Sequence, residues 1–234
     1  MQHPGSWNPW VSIWTSPRIT IARIVQENPN RGLWWLAAIY GFSGLLNFLQ
    51  SIFLGAQMGV IPIFLLALVI GPLWGYASFS VWSAVIWWTG KWMKGTAEFK
   101  MVRAAYAWSC VPFIINIILW LVMAALFGRL LFMNFAEGYA FTQGEVIFLF
   151  FILLVRIAVG IWSLVIYLNA LAEVQNYSVL RAIGNVLLAA ILMGVVFWLI
   201  SFLFTMAQGH VQSTFIFSFL TMAKPEFVDS LLNF

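Results

Sequence analysis

The chain has 234 residues, of which 63% are hydrophobic and only 8% are charged, and its formal net charge is +4. Soluble domains carry about 25% charged residues, so this composition excludes a water-soluble globular protein. The eleven basic residues are too few and too scattered along the chain for a DNA-binding face, which excludes a nucleic-acid-binding protein.

The first predicted element is a short helix that precedes the first apolar stretch. Ser16 followed by Pro17 is a typical helix start, and Asn28-Pro29 is a typical stop. The apolar residues between them share one face and Arg18 lies on the other, which indicates a basic amphipathic helix. We expect it to lie in the membrane interface near anionic lipids, with docking to a protein as the alternative.

Five stretches farther along the chain are long and apolar enough to cross a bilayer, which takes about 20 apolar residues. They are Leu33–Leu54, Val60–Thr89, Ala104–Phe127, Val146–Ala172 and Ala182–Ala207. Gly71-Pro72 inside the second stretch predicts a kink or local unwinding, and Pro112 predicts a kink in the third. Pro225, after the last stretch, indicates a further short helix.

The positions of Lys and Arg predict the orientation. Eight of the eleven basic residues lie in the N-terminal segment and in the two loops that a five-span topology places on the same side. Cytoplasmic segments carry such an excess, so we predict a cytoplasmic N-terminus and a C-terminus on the opposite side. The predicted fold is an all-α integral membrane protein with a cytoplasmic segment (1–32), a five-span transmembrane domain (33–207) and a non-cytoplasmic tail (208–234).

These basic residues predict a face that binds anionic lipid headgroups or an acidic partner. The candidates are Arg18, Arg23, Arg31, Lys91, Lys94, Lys100 and Arg103.

Arg156 is a charged residue near the middle of a predicted span. It lies about ten residues, or roughly 15 Å, from the outer end of the fourth span. An arginine at that depth costs at least about 2.5–3.5 kcal/mol, so it must face the helix bundle. We predict an intramembrane polar cluster that is either a substrate or ion site or an arginine satisfied by amides, water and helix carbonyls. Its candidate members are Arg156, Asn116, Asn47, Ser163 and Tyr167.

Pairs of small residues at four-residue spacing predict close contacts between helices within the chain, in preference to dimerisation. These pairs are Ala37/Gly41, Gly71/Gly75 and Ala190/Gly194. The sequence shows no nucleophile elbow, phosphate loop or metal-ligand spacing, so we predict a non-enzymatic protein with neither a cofactor nor a metal.

Three motifs resemble the YIP family of Ypt/Rab-interacting membrane proteins. They are NPWVSIWTSPRITIARIVQENPNRG with Pro17, AYAWSCVPFI with Tyr106 and Pro112, and LAEVQNYSVLRAI with Glu173. The order and spacing of the three motifs also resemble those of the family, and the resemblance covers about residues 8–207. The short N-terminal segment is similar to that of prokaryotic members.

The resemblance implies an integral membrane protein, in the plasma membrane of a prokaryote or in the Golgi or endoplasmic reticulum of a eukaryote. Its expected partners are membrane lipids, anionic ones first, a second copy of the chain and other membrane proteins. Eukaryotic members bind prenylated Rab-type GTPases with the support of a long cytosolic N-terminal region. Here about 32 residues precede the first predicted span, so a Rab-type partner rests on analogy alone.

The predicted function is membrane organisation, or partner and lipid binding, through the basic face. The alternative is a small transporter, channel or lipid-translocating protein built around Arg156, since interrupted helices often line transport sites.

Overall fold

The computed structural model describes residues 7–134 and 140–222, with side chains up to residue 206. Within these residues all regular elements are helical. They are α1 (Pro9–Ser12), α2 (Pro17–Glu27), α3 (Leu33–Ser51), α4 (Val60–Trp92), α5 (Phe99–Ser109), α6 (Ile114–Phe127), α7 (Gln143–Gln175) and α8 (Val179–Met222). The chain forms two units, Met1–Leu187 and Leu188–Phe234, and all sites below lie in the first. The helix predicted after Pro225 lies outside the described residues.

Four helical segments of the described chain are long and apolar enough to cross a membrane. They are Val60–Trp92, Phe99–Phe132, Gln143–Gln175 and Val179–Met206, and they coincide with the second to fifth predicted spans. The first predicted span corresponds to α3, which has 19 residues and is not among the four. At about 1.5 Å per residue α3 is roughly 28 Å long, close to the thickness of the hydrocarbon core. An all-helical membrane fold is therefore confirmed, whereas a membrane-spanning role for α3 and the orientation of the chain stay predictions.

The two prolines inside spans have different effects. At Pro112, where the sequence predicts a kink, the helix breaks: α5 ends at Ser109, a 3-10 turn covers Val111–Phe113 and α6 begins at Ile114. By contrast, α4 is continuous through Pro72, so the local unwinding predicted at Gly71-Pro72 is absent. A second difference concerns α8, which continues to Met222, well past the predicted end of the fifth span.

Small residues bring α3 and α4 into backbone contact beside Pro72. A methyl group on Gly41 would overlap the carbonyl of Gly71, and one on Gly75 would overlap the carbonyl of Ala37. Such close packing drives helix association in lipid, where apolar burial gives no net gain. The predicted contact is confirmed for these two pairs. Gly194 has open space at its Cβ position among the described residues, so it takes part in no such seam.

The N-terminal helix α2 forms as its cap signals predict but packs differently. It starts with Pro17 and ends at Glu27. Ile21 and Ile24 on its apolar face are completely buried, and the helix packs against α7 and α5. The protein itself therefore covers the apolar face of α2, and the position of this helix at the membrane interface stays a prediction.

At the opposite end of the first unit, a core of aromatic and aliphatic side chains surrounds Trp120. The indole is completely buried and stacks on Phe132 with ring centroids 5.6 Å apart. The Gln50 amide donates to the carbonyl of Leu131 at 2.8 Å and fastens α3 to the same region. This core supports the part of α7 that carries Arg156.

Candidate functional site

Three segments that are distant in sequence meet at one end of the first unit. The Trp108 indole donates to the Arg31 carbonyl at 3.2 Å, which ties α5 to the N-terminal segment. The Asn176 amide donates to the Thr96 hydroxyl at 2.8 Å, which ties the loop after α7 to the loop after α4. We call residues 7–32, 91–103 and 173–181 the basic end, because they carry eight basic residues and three acidic ones.

A buried polar clamp closes the loop between α4 and α5 at the basic end. The side-chain oxygen of Gln175, which is 1% exposed, accepts a hydrogen bond from the Ala97 N–H at 3.2 Å. The Tyr177 hydroxyl donates to the Gly90 carbonyl at 2.6 Å. A methyl group on Gly95 would collide with both the Gln175 amide and the Tyr177 hydroxyl. The clamp therefore requires glycine in this loop and holds it in one position.

The polar contacts continue one turn into the bundle. The Thr89 hydroxyl donates to the Asn185 side chain at 2.6 Å, and the Asn185 amide donates to the Ile86 carbonyl at 3.3 Å. Asn185 is completely buried. Sequence reasoning missed Asn185, Gln175 and Tyr177 as a network. The available signals were an asparagine inside an apolar run and two residues of the motif LAEVQNYSVLRAI.

Several basic residues of this end have acidic partners. Glu27 lies 3.3 Å from Arg23 and 2.8 Å from Arg31, and both guanidinium groups lie over the Trp7 ring, at 4.6 and 5.3 Å from its centroid. These side chains are about half exposed, so each pair contributes little to stability. Glu27 and Trp7 together hold the Arg23 and Arg31 side chains in place.

Arg103 joins three elements through neutral acceptors. Its guanidinium donates to the Tyr76 hydroxyl on α4 and to the Asn30 side chain, each at 3.0 Å. Lys100 pairs with Glu98 at 2.9 Å. Arg103 is thus a positioning residue of the basic end.

Four exposed basic residues of the basic end have no acidic partner within the part of the chain that the structure describes. They are Arg18, Lys91, Lys94 and Arg181. Arg18 instead donates to the Asn169 side chain at 3.2 Å. Glu173 is half-buried and forms no ion pair with the described residues. The basic end therefore presents an excess of positive charge drawn from all three segments.

Arg156 lies in the middle of α7 and faces α6. Its guanidinium carbon is 4.8 Å from the centroid of the Trp120 ring. Its Nε and Nη2 atoms are buried without a hydrogen-bond partner in the described residues, as are Trp120 Nε1 and Asn116 Oδ1. Asn116 and Trp120 lie one turn apart on α6. The structure thus places unpaired donors and an acceptor on adjoining faces of two helices.

The other predicted members of this cluster lie elsewhere. The Ser163 hydroxyl donates to the Ser109 carbonyl at 2.7 Å, so it contacts α5. Asn47 is exposed on α3, and its amide donates to the Ser43 carbonyl of the same helix at 2.9 Å. The structure therefore does not bring Ser163 and Asn47 together with Arg156, because these side chains contact different neighbours.

Tyr106 lies at the centre of an aromatic cluster beside the break at Pro112. Its ring centroid is 6.2 Å from that of Tyr40, 5.5 Å from Phe79 and 5.2 Å from Tyr167, and its hydroxyl lies 3.4 Å from the Tyr40 hydroxyl. A cavity of about 240 Å³ adjoins these rings. The predicted site residue Tyr167 belongs to this cluster.

The Yip1 domain family model matches residues 11–201. The chain belongs to the Yip1 domain family. No curated protein and no solved structure matches it significantly. Membership confirms the resemblance and makes the chain an integral membrane protein, of a family that is linked to Rab-type GTPases and is not known for enzymatic activity. Among the described residues no group of three His, Cys, Asp or Glu side chains could hold a metal ion.

The motif positions of this Yip1 domain lie in well-defined structural places. Pro17 opens α2, Tyr106 anchors the aromatic cluster and Pro112 forms the break between α5 and α6. Glu173 precedes the clamp residue Gln175 by two positions on the last turn of α7. Pro17 and Glu173 thus belong to the basic end, whereas Tyr106 and Pro112 lie at the aromatic cluster and the helix break.

Proposed function

We propose that this Yip1 domain protein is a non-enzymatic organiser of the membrane, which binds anionic lipid headgroups or an acidic partner through its basic end. The observation that supports the proposal is the set of exposed basic residues without acidic partners, contributed by three separate segments. Each such residue near a membrane surface adds about 1 kcal/mol of attraction to anionic lipid. Held together, four of them attract anionic lipid more strongly than isolated surface charges do.

The clamp gives this face its rigidity. Gln175 and Tyr177 hold the loop that carries Lys94, and Arg103 links α5 to α4 and to the N-terminal segment. Charges held in place lose less conformational entropy on binding than charges on a free loop. With the N-terminus in the cytoplasm, as the Lys/Arg distribution predicts, this face meets the anionic leaflet. By analogy with the family, a Rab-type GTPase is a candidate for the acidic partner.

The test uses the full chain in detergent micelles that contain equal amounts of phosphatidylglycerol and phosphatidylcholine. The variant K91Q/K94Q/R181Q removes three unpaired cations. The matched control R23Q/R31Q/K100Q removes the same amount of charge from residues that have acidic partners. Native mass spectrometry counts the lipids retained by each protein, and a thermal melt checks the fold.

We expect the first variant to lose most of its preference for phosphatidylglycerol and the control to lose less. If the first variant retains as much phosphatidylglycerol as the wild type and loses no co-purified protein, the proposal fails. If the first variant keeps its lipids and loses a co-purified acidic protein that the wild type retains, the result supports binding of an acidic partner.

Arg156 favours a second candidate function, a small transporter or lipid-translocating protein. The observation behind it is the pair of buried guanidinium nitrogens without a partner next to Trp120. The assay follows the flipping of a fluorescent phosphatidylglycerol analogue in proteoliposomes by quenching the outer leaflet. Flipping by the wild type that is lost in a stable Arg156→Leu variant supports this function. Equal rates in both proteins, or no rate above that of empty liposomes, overturn it.

A further inference from the structure

A groove on the surface of the first unit separates the start of α2 from α7. Its volume is about 590 Å³, and its walls are residues 14–19 on one side and one face of α7 on the other. Arg18 and Asn169 lie at its polar end, and Trp162 and Val165 form its apolar wall. No acidic side chain lines it among the described residues.

Arg18 is oriented for binding an oxyanion. Its Nε donates to the Asn169 side-chain oxygen at 3.2 Å, and the Asn169 amide in turn donates to the Val165 carbonyl at 2.9 Å. Among the described residues the two terminal nitrogens of the guanidinium have no hydrogen-bond partner, and such a group binds phosphate oxygens through paired hydrogen bonds. The Ser16 hydroxyl makes no cap bond to α2, so it is a further donor at the same end.

The length of α7 places the groove at the right depth for a phospholipid. With 33 residues, α7 is about 50 Å long, so about 10 Å projects beyond each side of a hydrocarbon core of about 30 Å when it is centred. Asn169 is about 9 Å and Trp162 about 20 Å from the Gln175 end of the helix. Asn169 and Arg18 therefore lie at the headgroup boundary, and Trp162 lies among the acyl chains.

The apolar wall is open in the isolated chain. Trp162 is 44% exposed and Val165 40% exposed, although both lie below the headgroup level. A chain lying along this wall covers apolar surface while the phosphate of the same molecule reaches Arg18.

We infer that this groove binds one anionic phospholipid, with its phosphate on Arg18 and an acyl chain along Trp162 and Val165. The inference deepens the proposed function and rests on the same placement of the basic end at the membrane surface, which the Lys/Arg distribution predicts. The charge of the groove selects the ligand, because a cationic side chain without a nearby carboxylate favours a headgroup with net negative charge over a zwitterionic one.

The experiment measures how much phosphatidylglycerol or phosphatidylcholine the full chain retains in native mass spectrometry as the activation energy rises. We expect the wild type to hold one phosphatidylglycerol after the other lipids have left. Arg18→Gln should lower this retention about tenfold or more, because charge-assisted hydrogen bonds are lost. Arg18→Lys, which keeps the charge without the paired geometry, should retain an intermediate amount.

A second variant tests the chain-binding wall without touching the charge. Val165→Phe narrows the groove at a half-exposed surface position, and it should displace the lipid while the melting temperature stays that of the wild type. A phosphatidylglycerol with a photoreactive acyl chain should crosslink to the peptide that contains Trp162. Retention by Arg18→Gln at the wild-type level, equal retention of phosphatidylcholine, or crosslinks that map elsewhere would each overturn the inference.

The triple variant K91Q/K94Q/R181Q separates this inference from the proposed function. If it loses the loosely held lipids and keeps the single tight one, both are supported. If it behaves as the wild type while Arg18→Gln loses the tight lipid, the proposed function fails and the groove stands. If the triple variant loses the loosely held lipids while Arg18→Gln keeps the tight one, the proposed function is supported and the groove is not a lipid site.

Discussion

The seam between α3 and α4 makes a sharp quantitative prediction for Gly41→Ala. The added methyl group would lie 2.7 Å from both the carbonyl carbon of Gly71 and the nitrogen of Gly75. It would also overlap the Gly71 carbonyl oxygen, and carbon contacts need about 3.5–4.0 Å, so the two helices must separate by at least about 1 Å. Overpacking of this kind costs about 1–3 kcal/mol. The substitution also removes a helix-interior glycine, which by itself gains about 0.5–1 kcal/mol, so the expected net loss is centred near 1 kcal/mol and reaches at most about 2.5 kcal/mol.

Gly44→Ala is the matched control on the same helix. Its methyl group would meet only the Trp74 side chain, at 3.5 Å, which is an ordinary contact. We expect this variant to be as stable as the wild type, or more stable by up to about 1 kcal/mol. The measurement is unfolding in mixed micelles by increasing fractions of sodium dodecyl sulfate, followed by circular dichroism. If the two alanine variants unfold at the same detergent fraction, the argument for a backbone seam is wrong.

Three further predictions concern the basic end. Asn185→Leu should lower stability by about 0.6–1.7 kcal/mol in the same unfolding assay, because it removes interhelical hydrogen bonds; an unchanged midpoint would show that they contribute nothing. Burial raises the pKa of Tyr177, so the neutral phenol stabilises the fold below about pH 10 and this contribution is lost above it. Tyr177→Phe should therefore melt with a weaker dependence on pH between 9 and about 11 than the wild type; equal slopes contradict this. Glu27→Gln breaks two exposed ion pairs and should change stability by less than about 1 kcal/mol, and a larger loss in thermal melts would reveal a structural role.

Hydropathy and proline positions predicted much of the fold, but packing decided the details. Pro112 marks a break in its span where a kink is expected, whereas α4 stays helical through Pro72 and packs there against α3 through Gly71 and Gly75. The signals at Ser16-Pro17 located α2, yet nothing in its eleven residues shows that α7 covers its apolar face. An amphipathic pattern predicts that a face is buried but does not determine which surface covers it.

The candidate site could be predicted only where it depends on topology. The basic residues lie in segments that are separated by two spans each. Such segments lie on the same side of a membrane, so the sequence predicts that these residues meet at one end. The clamp depends on contacts across 78 residues between Ala97 and Gln175 and 96 residues between Thr89 and Asn185, which no local pattern encodes. Asn47 shows the converse: the sequence predicts it at a depth similar to that of Arg156, but it is exposed and its amide bonds to Ser43 on its own helix.

The seam between α3 and α4 also bears on how the protein enters its membrane. It joins two helices that are consecutive in the chain, so it needs no partner synthesised later. A helical hairpin of this kind can form as soon as α4 leaves the translocon, with α4 supplying the hydrophobicity that the less apolar α3 lacks. Loosening the seam should therefore lower the yield of inserted protein before it affects any later step of assembly.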